Sequence, residues 1–257
     1  MDFKTIAVSQ EGAVATVWLN RPEARNAINQ MMLEELTAAF HDLASRFDVR
    51  VVVLGGRGPS FCTGADRKDA PGVARMTAPD VTARERHWLA RLGDRALEAI
   101  DSVEAVTIAR IHGNAIGGGV LLATACDFRI AAEGARFFFP EVELASPLDW
   151  RGVPRMIREI GPSRAREMVM LGERVDAATA ERWHLVNRVV LEDQLDAAVA
   201  ALAERGSAIP EISLRMSKTQ FRAYGATQVL GDVTQLETNL LLEALAAEAA
   251  RTNLGVR

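Results

Sequence analysis

Three consecutive glycines, Gly117, Gly118 and Gly119, stand between an apolar run predicted as a strand and an apolar run predicted as a helix. Glycine permits close backbone approach, and free N–H groups at the start of a helix favour an anion or a developing oxyanion. The same residues could also form a tight turn that only lets the helix and strand pack. The spacing fits neither the dinucleotide-binding fingerprint nor a phosphate loop. The triplet therefore indicates an oxyanion-binding turn or a packing turn.

A second segment, residues 61–68 (FCTGADRK), has small residues at the end of a predicted strand and charged residues directly after them. If this segment faces the glycine triplet, backbone N–H groups from both converge on one carbonyl oxygen. Asp66 and Lys68 are open to a second interpretation, as members of a solvated loop. The sequence alone does not establish that the two segments meet; if they do, their paired backbone donors can stabilise negative charge on oxygen.

Five stretches of the chain resemble, in order and spacing, the successive motifs of the enoyl-CoA hydratase/isomerase (crotonase) family. The resemblance extends over residues 3–200. It implies an α/β fold, a crotonase-like spiral of ββα units with a C-terminal helical trimerisation region, and assembly into trimers that often pair into hexamers. The five stretches are NRPEARNAI (20–28), FCTGADRK (61–68), HGNAIGGG (112–119), ACDFRIA (125–131) and FPEVEL (139–144).

The resemblance also assigns roles to single residues. Ala65 and Gly118 correspond to the two backbone donors of the family's oxyanion hole. An enolate next to a thioester places charge on oxygen, where two preorganised donors stabilise it strongly. The substrate implied is an acyl-CoA thioester, with coenzyme A as part of the substrate and with no permanently bound cofactor or metal. The residues that fall on or near the family's coenzyme A channel are Arg25, Ala27, Asp66 and Lys68.

The acidic positions depart from the family pattern. Hydratases of the family resemble one another in carrying one acid shortly after the glycine triplet and a second acid in a later Pro-Glu step. Here Leu121 occupies the first position and Glu141 the second. Addition of water is best served by two groups, so hydration is weakened, whereas a double-bond shift needs a single base. Glu141 is predicted to be that acid/base, and the alternative is a structural acid at a turn.

Asp149 offers a second carboxylate, eight residues after Glu141. Dienoyl-CoA isomerases of the family resemble each other in placing an acid there, and aryl-CoA dehalogenases place their nucleophile there. The alternative is a helix N-cap, because a helix is predicted over residues 150–160. The predicted function is isomerisation or hydration of an enoyl-CoA by Glu141, with Asp149 as the candidate second acid. The rival is a non-catalytic acyl-CoA binding protein, which would need no acid at Glu141.

The other chemically reactive side chains have no neighbouring residues in the sequence that indicate a catalytic or metal-binding role. His87 and His112 have no partner acid at a readable spacing and are interpreted as structural. Cys62 and Cys126 lack metal-ligand spacing and are interpreted as small buried apolar groups.

The elements that must position these residues follow from hydrophobic periodicity and glycine breaks. A hairpin around Gly12 opens the chain, and Asn29 is predicted to cap a helix that ends near Phe47. Strands that alternate with a glycine turn and helices predict a mostly parallel sheet. Nearly everything after Gly161 is predicted as helix, with breaks near Gly172, 206–210 and Gly225. The remaining predictions are a buried strand over 51–54, a short apolar strand over 106–111, a strand over 128–132, a mobile loop over 66–84 and a helix over 84–100.

The bulk composition fits one main globular unit. The 257 residues are 49% hydrophobic and 25% charged, with a net charge of −4 spread along the chain. No clustered basic face indicates nucleic acid as a partner. The start of the chain lacks a signal-peptide layout and no apolar stretch is long enough to span a bilayer, so a cytoplasmic location is expected.

The chain is expected to divide into two parts. Residues 1–200 form the predicted core with the acyl-CoA site, and residues 201–257 form a C-terminal helical oligomerisation region. An apolar stripe in this region predicts a homo-trimer or hexamer. The stripe consists of Val233, Leu236, Leu240 and Leu245.

Overall fold

The computed structural model describes residues 2–227 together with residues 242, 245 and 246. The strands are β1 (Ile6–Glu11), β2 (Val14–Leu19), β3 (Val51–Gly56), β4 (Val106–Ile111), β5 (Asn114–Ile116), β6 (Phe128–Ala132), β7 (Arg136–Phe138), β8 (Val175–Asp176) and β9 (Arg188–Val190). The helices are α1 (Gln30–Ala44), α2 (Val73–Met76), α3 (Ala83–Ala90), α4 (Leu92–Ser102), α5 (Gly118–Thr124), α6 (Gly152–Met170), α7 (Ala177–Arg182), α8 (Leu195–Ala208) and α9 (Glu211–Thr227).

A six-stranded sheet with the order β1-β2-β3-β4-β6-β9 forms the centre of the fold. Strands β1 and β2 pair antiparallel as the predicted opening hairpin, and every later pairing in this sheet is parallel. Strand β3 is buried along its whole length, as expected for a parallel strand covered on both faces. The predicted mostly parallel α/β sheet is therefore confirmed.

A smaller sheet with the order β5-β7-β8 lies beside the first and carries the glycine triplet at the end of β5. Strands β5 and β7 run parallel, with Ile116 opposite Phe138. The N–H of Gly117 then donates to the carbonyl of Phe138 at 2.9 Å. This pairing brings the chain that follows β7 to the glycine turn.

Helix α1 begins as the sequence predicts. The Asn29 side chain accepts a hydrogen bond from the N–H of Met32 at 3.0 Å, which satisfies one of the free donors of the first turn. The apolar positions at helical spacing are buried, but the helix ends at Ala44 rather than near Phe47. Phe47 itself is exposed.

Four predictions on local structure are wrong. The predicted loop over 66–84 contains α2, and the helix predicted over 84–100 is two helices that break at Arg91. The region after Gly161 contains the short strands β8 and β9. The predicted break near Gly225 lies inside α9. Strand β9 is not predicted from the sequence, because its three residues at the edge of the sheet form a hydrophobic pattern too short to recognise.

Helices α8 and α9 both contact the central sheet or the residues next to its strands. Helix α8 covers one face of β3, β4 and β6 through a second core cluster that includes Leu195 and Val199. On α9, the Lys218 ammonium donates to the Asp127 carboxylate at 2.7 Å and to the carbonyl of Ala105 at 2.8 Å. The predicted apolar stripe lies outside the described residues except for Leu245, which packs on the main core. Across the described part of the chain, no helix is both long and apolar enough to cross a bilayer.

Candidate active site

The segment 61–65 lies directly on the glycine triplet. Cys62 forms an isolated parallel bridge with Ala115, and the N–H of Ile116 donates to the carbonyl of Cys62 at 3.0 Å. A β-carbon built on Gly119 would lie 2.6 Å from the same carbonyl oxygen, so only glycine fits there. The two segments singled out in the sequence are therefore brought together by backbone contacts.

The segment 26–28 lies against the other side of 64–66. The N–H of Ile28 donates to the carbonyl of Gly64, and the N–H of Asp66 donates to the carbonyl of Ile28, both at 2.8 Å. Ala65 lies between these bonds and is exposed, whereas Gly118 is buried. Within the described residues, neither the N–H of Ala65 nor that of Gly118 donates a hydrogen bond. Both donors are thus free to bind an oxygen of a ligand.

Asn26 holds these segments in place, a role that the sequence analysis missed. Its backbone has φ 57°, a left-handed conformation that asparagine tolerates better than most residues. Its buried side-chain amide donates to the carbonyls of Arg57 and Ser60, each at 2.8 Å, and to that of Phe61 at 3.1 Å. The NRPEARN motif is the sequence signal, since a buried asparagine needs such partners.

The Asp66 carboxylate is held by an ion pair and by hydrogen bonds from its own loop. Its carboxylate pairs with the Arg21 guanidinium at 2.9 Å and accepts from the N–H groups of Lys68 and Asp69. Partial burial by itself raises the pKa of Asp66. The hydrogen bonds from the Lys68 N–H and from Arg21, together with the charge of Arg21, outweigh this effect and hold the pKa below its usual value. The interpretation of Asp66 as a solvated loop residue is wrong, whereas Lys68 is exposed.

Arg25 and Ala27 lie on the same segment as Asn26. Arg25 is exposed in a left-handed conformation at φ 51°, and its carbonyl accepts from the Thr63 hydroxyl at 3.2 Å. Ala27 is half-buried, and its carbonyl accepts from the Arg21 guanidinium. The predicted coenzyme A residues therefore form one connected edge beside Ala65.

Glu141 lies over the glycine turn. It starts the 3-10 helix Glu141–Leu144 just after β7, and its Oε1 lies 2.6 Å from where a β-carbon of Gly117 would stand. Its Oε2 is buried and has no hydrogen-bond partner among the described residues. Burial raises the pKa of Glu141 to about 7. A carboxyl group without a structural partner does not fit the turn-acid interpretation.

Asp149 is not a helix cap. Helix α6 begins at Gly152 and its N-cap position is Arg151, so the helix-cap alternative is wrong. One carboxylate oxygen of Asp149 accepts from the N–H of Trp150 at 2.8 Å, and the other is buried with no hydrogen-bond partner among the described residues. Burial, supported by the charge of Asp94, raises the pKa of Asp149 to about 6.

Asp94 is a third buried acid that the sequence analysis did not single out. It lies in the first turn of α4, is 3% exposed, and has one oxygen without a hydrogen bond in the described structure. The nearest cations are the Nε atoms of Arg91 at 3.7 Å and Arg151 at 3.8 Å. Burial raises its pKa. An acid in the first turn of a helix is normally a surface residue, so the sequence gives no signal for this burial.

Leu121 belongs to an apolar wall. It is 1% exposed, and a β-carbon on Gly152 would meet Leu148 Cγ at 2.5 Å and Leu121 Cδ1 at 3.2 Å. Both leucines therefore pack on the start of α6. The position at which the family resemblance expects a second acid has become part of the core.

The remaining candidate groups have structural roles. The His112 ring bonds the Arg110 guanidinium at 3.1 Å through Nδ1 and the carbonyl of Gly58 at 2.7 Å through Nε2. Nδ1 must therefore accept and Nε2 donate, which fixes a neutral tautomer. Cys62 and Cys126 are buried as predicted, and burial raises the pKa of both thiols to about 12.

Comparison with known proteins gives a consistent result. The sequence profile described as "Enoyl-CoA hydratase/isomerase" matches residues 9–254. A probable enoyl-CoA hydratase of Mycobacterium tuberculosis is 35% identical over 218 residues, which are 85% of this chain and 81% of that protein. An enoyl-CoA hydratase structure from Mycobacterium avium subsp. paratuberculosis superposes with a TM-score of 0.84 at 26% identity, covering 95% of both chains.

An isomerase structure is also similar. The monofunctional enoyl-CoA isomerase from M. smegmatis has a TM-score of 0.72 and 30% identity, and the match covers 86% of this chain and 94% of that one. Hydratases and isomerases thus share this fold.

Proposed function

Because this chain belongs to the enoyl-CoA hydratase/isomerase family, we propose that it shifts the double bond of an enoyl- or dienoyl-CoA thioester, with Glu141 as the principal proton carrier. The proposal rests on one observation above all: the Glu141 carboxyl lies against Gly117 with a buried, unpartnered oxygen. The enzyme interpretation replaces that of a non-catalytic acyl-CoA binding protein, because the named relatives are hydratases and isomerases.

The thioester oxygen binds the two free backbone donors, the N–H groups of Ala65 and Gly118. When the carboxylate of Glu141 removes an α-proton, the electrons of the C–H bond move into a dienolate, and the negative charge comes to lie on this oxygen. Two preorganised donors stabilise that charge without reorganising. Return of the proton to the γ-carbon places the double bond next to the thioester carbonyl and restores the carboxylate. Atoms and charge balance, and the step needs no cofactor besides the coenzyme A of the substrate.

Isomerisation is favoured over hydration by the wall around Leu121. Hydration needs a second group that orients water at the β-carbon, and at the family's position for that acid Leu121 packs on Gly152 at the start of α6. Asp149 is the candidate second carrier, since one of its oxygens is also buried and unpartnered. With pKa values of about 7 and about 6, Glu141 and Asp149 can both exchange protons near neutral pH. Two proton carriers suit a dienoyl thioester, because the carbon that loses a proton and the carbon that gains one lie far apart in it.

Coenzyme A is proposed to lie along the edge formed by 25–28 and 65–68. Arg25 and Lys68 are exposed cations that can meet its phosphates, and Ala27 offers a flat, half-buried surface. Asp66 acts indirectly, because it holds Arg21 and thereby the carbonyl of Ala27. The proposed division of the chain remains a core over 1–200 and a helical oligomerisation region over 201–257.

The test is a binding and turnover panel. We expect saturated acyl-CoA thioesters to bind with micromolar or tighter affinity in calorimetry. We expect 3-enoyl- or dienoyl-CoA to isomerise faster than a 2-enoyl-CoA is hydrated. Absence of binding at millimolar acyl-CoA removes the acyl-CoA site. Binding without isomerisation, hydration or hydrogen exchange in D₂O over hours restores the non-catalytic binding protein.

The assembly is proposed to be a homo-trimer or a hexamer. This proposal rests on the apolar stripe in residues 230–250 of the sequence. Light scattering at micromolar protein should give three or six times the chain mass of 27.9 kDa, and a monomeric mass contradicts the proposal. The location is proposed to be cytoplasmic, a reducing compartment that suits two free, buried thiols.

A further inference from the structure

The Trp150 side chain occupies a slot between two glycines. A β-carbon built on Gly93 of α4 would lie 2.0 Å from Cδ2 and 2.1 Å from Cε2 of the indole. A β-carbon on Gly118 would lie 2.4 Å from Cζ3 and 3.0 Å from Cη2. The pyrrole side of the indole therefore packs on Gly93, and the outer edge of its six-membered ring packs on Gly118. Neither glycine could carry a side chain with the indole in place.

The backbone that delivers this indole is unusual. Trp150 has φ 58° and Arg151 has φ 53°, so two consecutive non-glycine residues are left-handed. Bulky side chains adopt this region at a cost, and such residues persist where the surrounding structure holds them. The Asp149 carboxylate accepts from the N–H of Trp150, and Arg151 lies within ion-pair range of the buried Asp94 on α4. The chain thus holds the indole over Gly118 by contacts on both sides of it.

The place of the indole decides what fits beside the bound thioester. If the thioester oxygen accepts from the N–H of Gly118 at about 2.9 Å, its α-carbon is only two bonds further away. Glu141 bounds this space above Gly117, and the outer edge of the indole bounds it above Gly118. An α-hydrogen can face the carboxylate there, whereas an α-methyl group would have to share space with the ring.

Resting on the proposed function, we propose that Trp150 is a specificity-determining residue that excludes acyl groups branched at the α-carbon. Its indole restricts the enzyme to thioesters with an unsubstituted α-carbon and leaves the β- and γ-carbons free to vary. An added methyl group against a filled apolar wall typically changes kcat/KM about 10- to 200-fold. Wild-type enzyme should therefore prefer but-3-enoyl-CoA over its 2-methyl derivative by a factor in this range.

Trp150→Phe provides the test because it separates the two ends of the indole. A phenyl ring keeps the near atoms that pack on Gly93 and lacks the outer edge over Gly118. We expect the preference for but-3-enoyl-CoA over 2-methylbut-3-enoyl-CoA to fall to below about threefold in Trp150→Phe, mainly through faster turnover of the branched thioester. Trp183→Phe is the matched control, since Trp183 directly follows α7 and lies beside Arg164. The substrate preference of Trp183→Phe should equal that of wild type.

A measurement on the wild-type protein covers the case in which Trp150→Phe does not fold. Butyryl-CoA should bind at least about 10-fold more tightly than 2-methylbutyryl-CoA in competition calorimetry. Equal affinities, or an unchanged preference in folded Trp150→Phe, overturn the role of Trp150. Wild-type protein that isomerises neither but-3-enoyl-CoA nor any longer 3-enoyl- or dienoyl-CoA instead refutes the proposed function, so the two failures are distinct.

Discussion

Replacing Glu141 with Gln lowers the turnover of a 3-enoyl- or dienoyl-CoA at least about 100-fold and leaves acyl-CoA binding almost unchanged, as expected for a positioned acid/base. The amide keeps the size of the carboxyl group over Gly117 but cannot take a proton. Stopped-flow or absorbance assays give kcat, and calorimetry with a saturated acyl-CoA gives the affinity. Glu143→Gln is the matched control, because Glu143 is exposed and pairs only loosely with Arg174 at 3.5 Å.

The pH dependence gives the same residue a second readout. The base form of Glu141 is the carboxylate, so wild-type kcat/KM, which reports ionisation of the free enzyme, should rise as the pH passes through about 7. The contribution of Glu141 to the stability of the fold depends on pH in the opposite direction and falls as the pH rises. The pKa of Glu141 in the folded protein lies above the usual glutamate pKa of 4.5, so folding takes up a proton at pH values between the two. The stability that the protonated Glu141 carboxyl contributes to the fold is fully present below pH 4.5 and is lost as the pH rises through about 7. Glu141→Gln should therefore unfold at a higher temperature than wild type at pH 8, and the difference should shrink at pH 5.

Asp149→Asn shows whether proton transfer uses one carboxylate or two. With Asp149 as the second carrier, we expect a loss of about 100-fold with a dienoyl-CoA. A change below about threefold would contradict this role and leave Glu141 as a single base. Loss of binding together with turnover would instead point to damage of the loop that carries Trp150.

Substituting Gly119 with Ala is expected to lower kcat by about 100-fold or more through displacement of one oxyanion donor. The new methyl group would stand 2.6 Å from the carbonyl oxygen of Cys62 and 2.9 Å from its Cβ. Real β-carbons do not approach a backbone oxygen so closely, so the segment leading to Ala65 must move away from the turn that carries Gly118. The two N–H groups then no longer meet at one oxygen.

Gly134→Ala is the matched control for this substitution. A β-carbon there has its nearest neighbour at 4.0 Å, the Oε2 of Glu192, and Gly134 does not have a positive φ. Circular dichroism and thermal melts of both variants check that each one folds. A folded Gly119→Ala enzyme with turnover within threefold of wild type would show that the approach of Cys62 to Gly119 does not set the oxyanion site.

Much of this fold could be predicted because its signals are local. The Asn29 cap, the hairpin around Gly12 and the buried β4 follow from one residue type or one short period each. The glycine triplet and the segment 61–68 stand out in the sequence because of their small residues, but their contact follows only from the tertiary structure. Glu141 was identified only through the family motif.

The rest of the site depends on burial that no local pattern encodes. Asp94 looks like an ordinary acid in the first turn of a helix, yet the tertiary structure leaves it only 3% exposed, with the Nε of Arg151 at 3.8 Å. Asp149 precedes a helix and so fits a cap, but the two left-handed residues after it delay α6 to Gly152. Asn26 acts through carbonyl groups such as that of Arg57, and Arg21 pairs with Asp66; both partners lie in a distant part of the chain. Such roles follow from the tertiary structure alone.

The slot that holds Trp150 also constrains how this protein can evolve. Since no side chain fits at Gly93 or Gly118 while the indole lies between them, the three positions cannot mutate independently. A lineage can acquire alanine at either glycine only after the tryptophan has been replaced, and the order of these changes is fixed by sterics. A tryptophan with two glycines at these positions should therefore be inherited as a set, and departures from the set should coincide with a change in the acyl groups accepted.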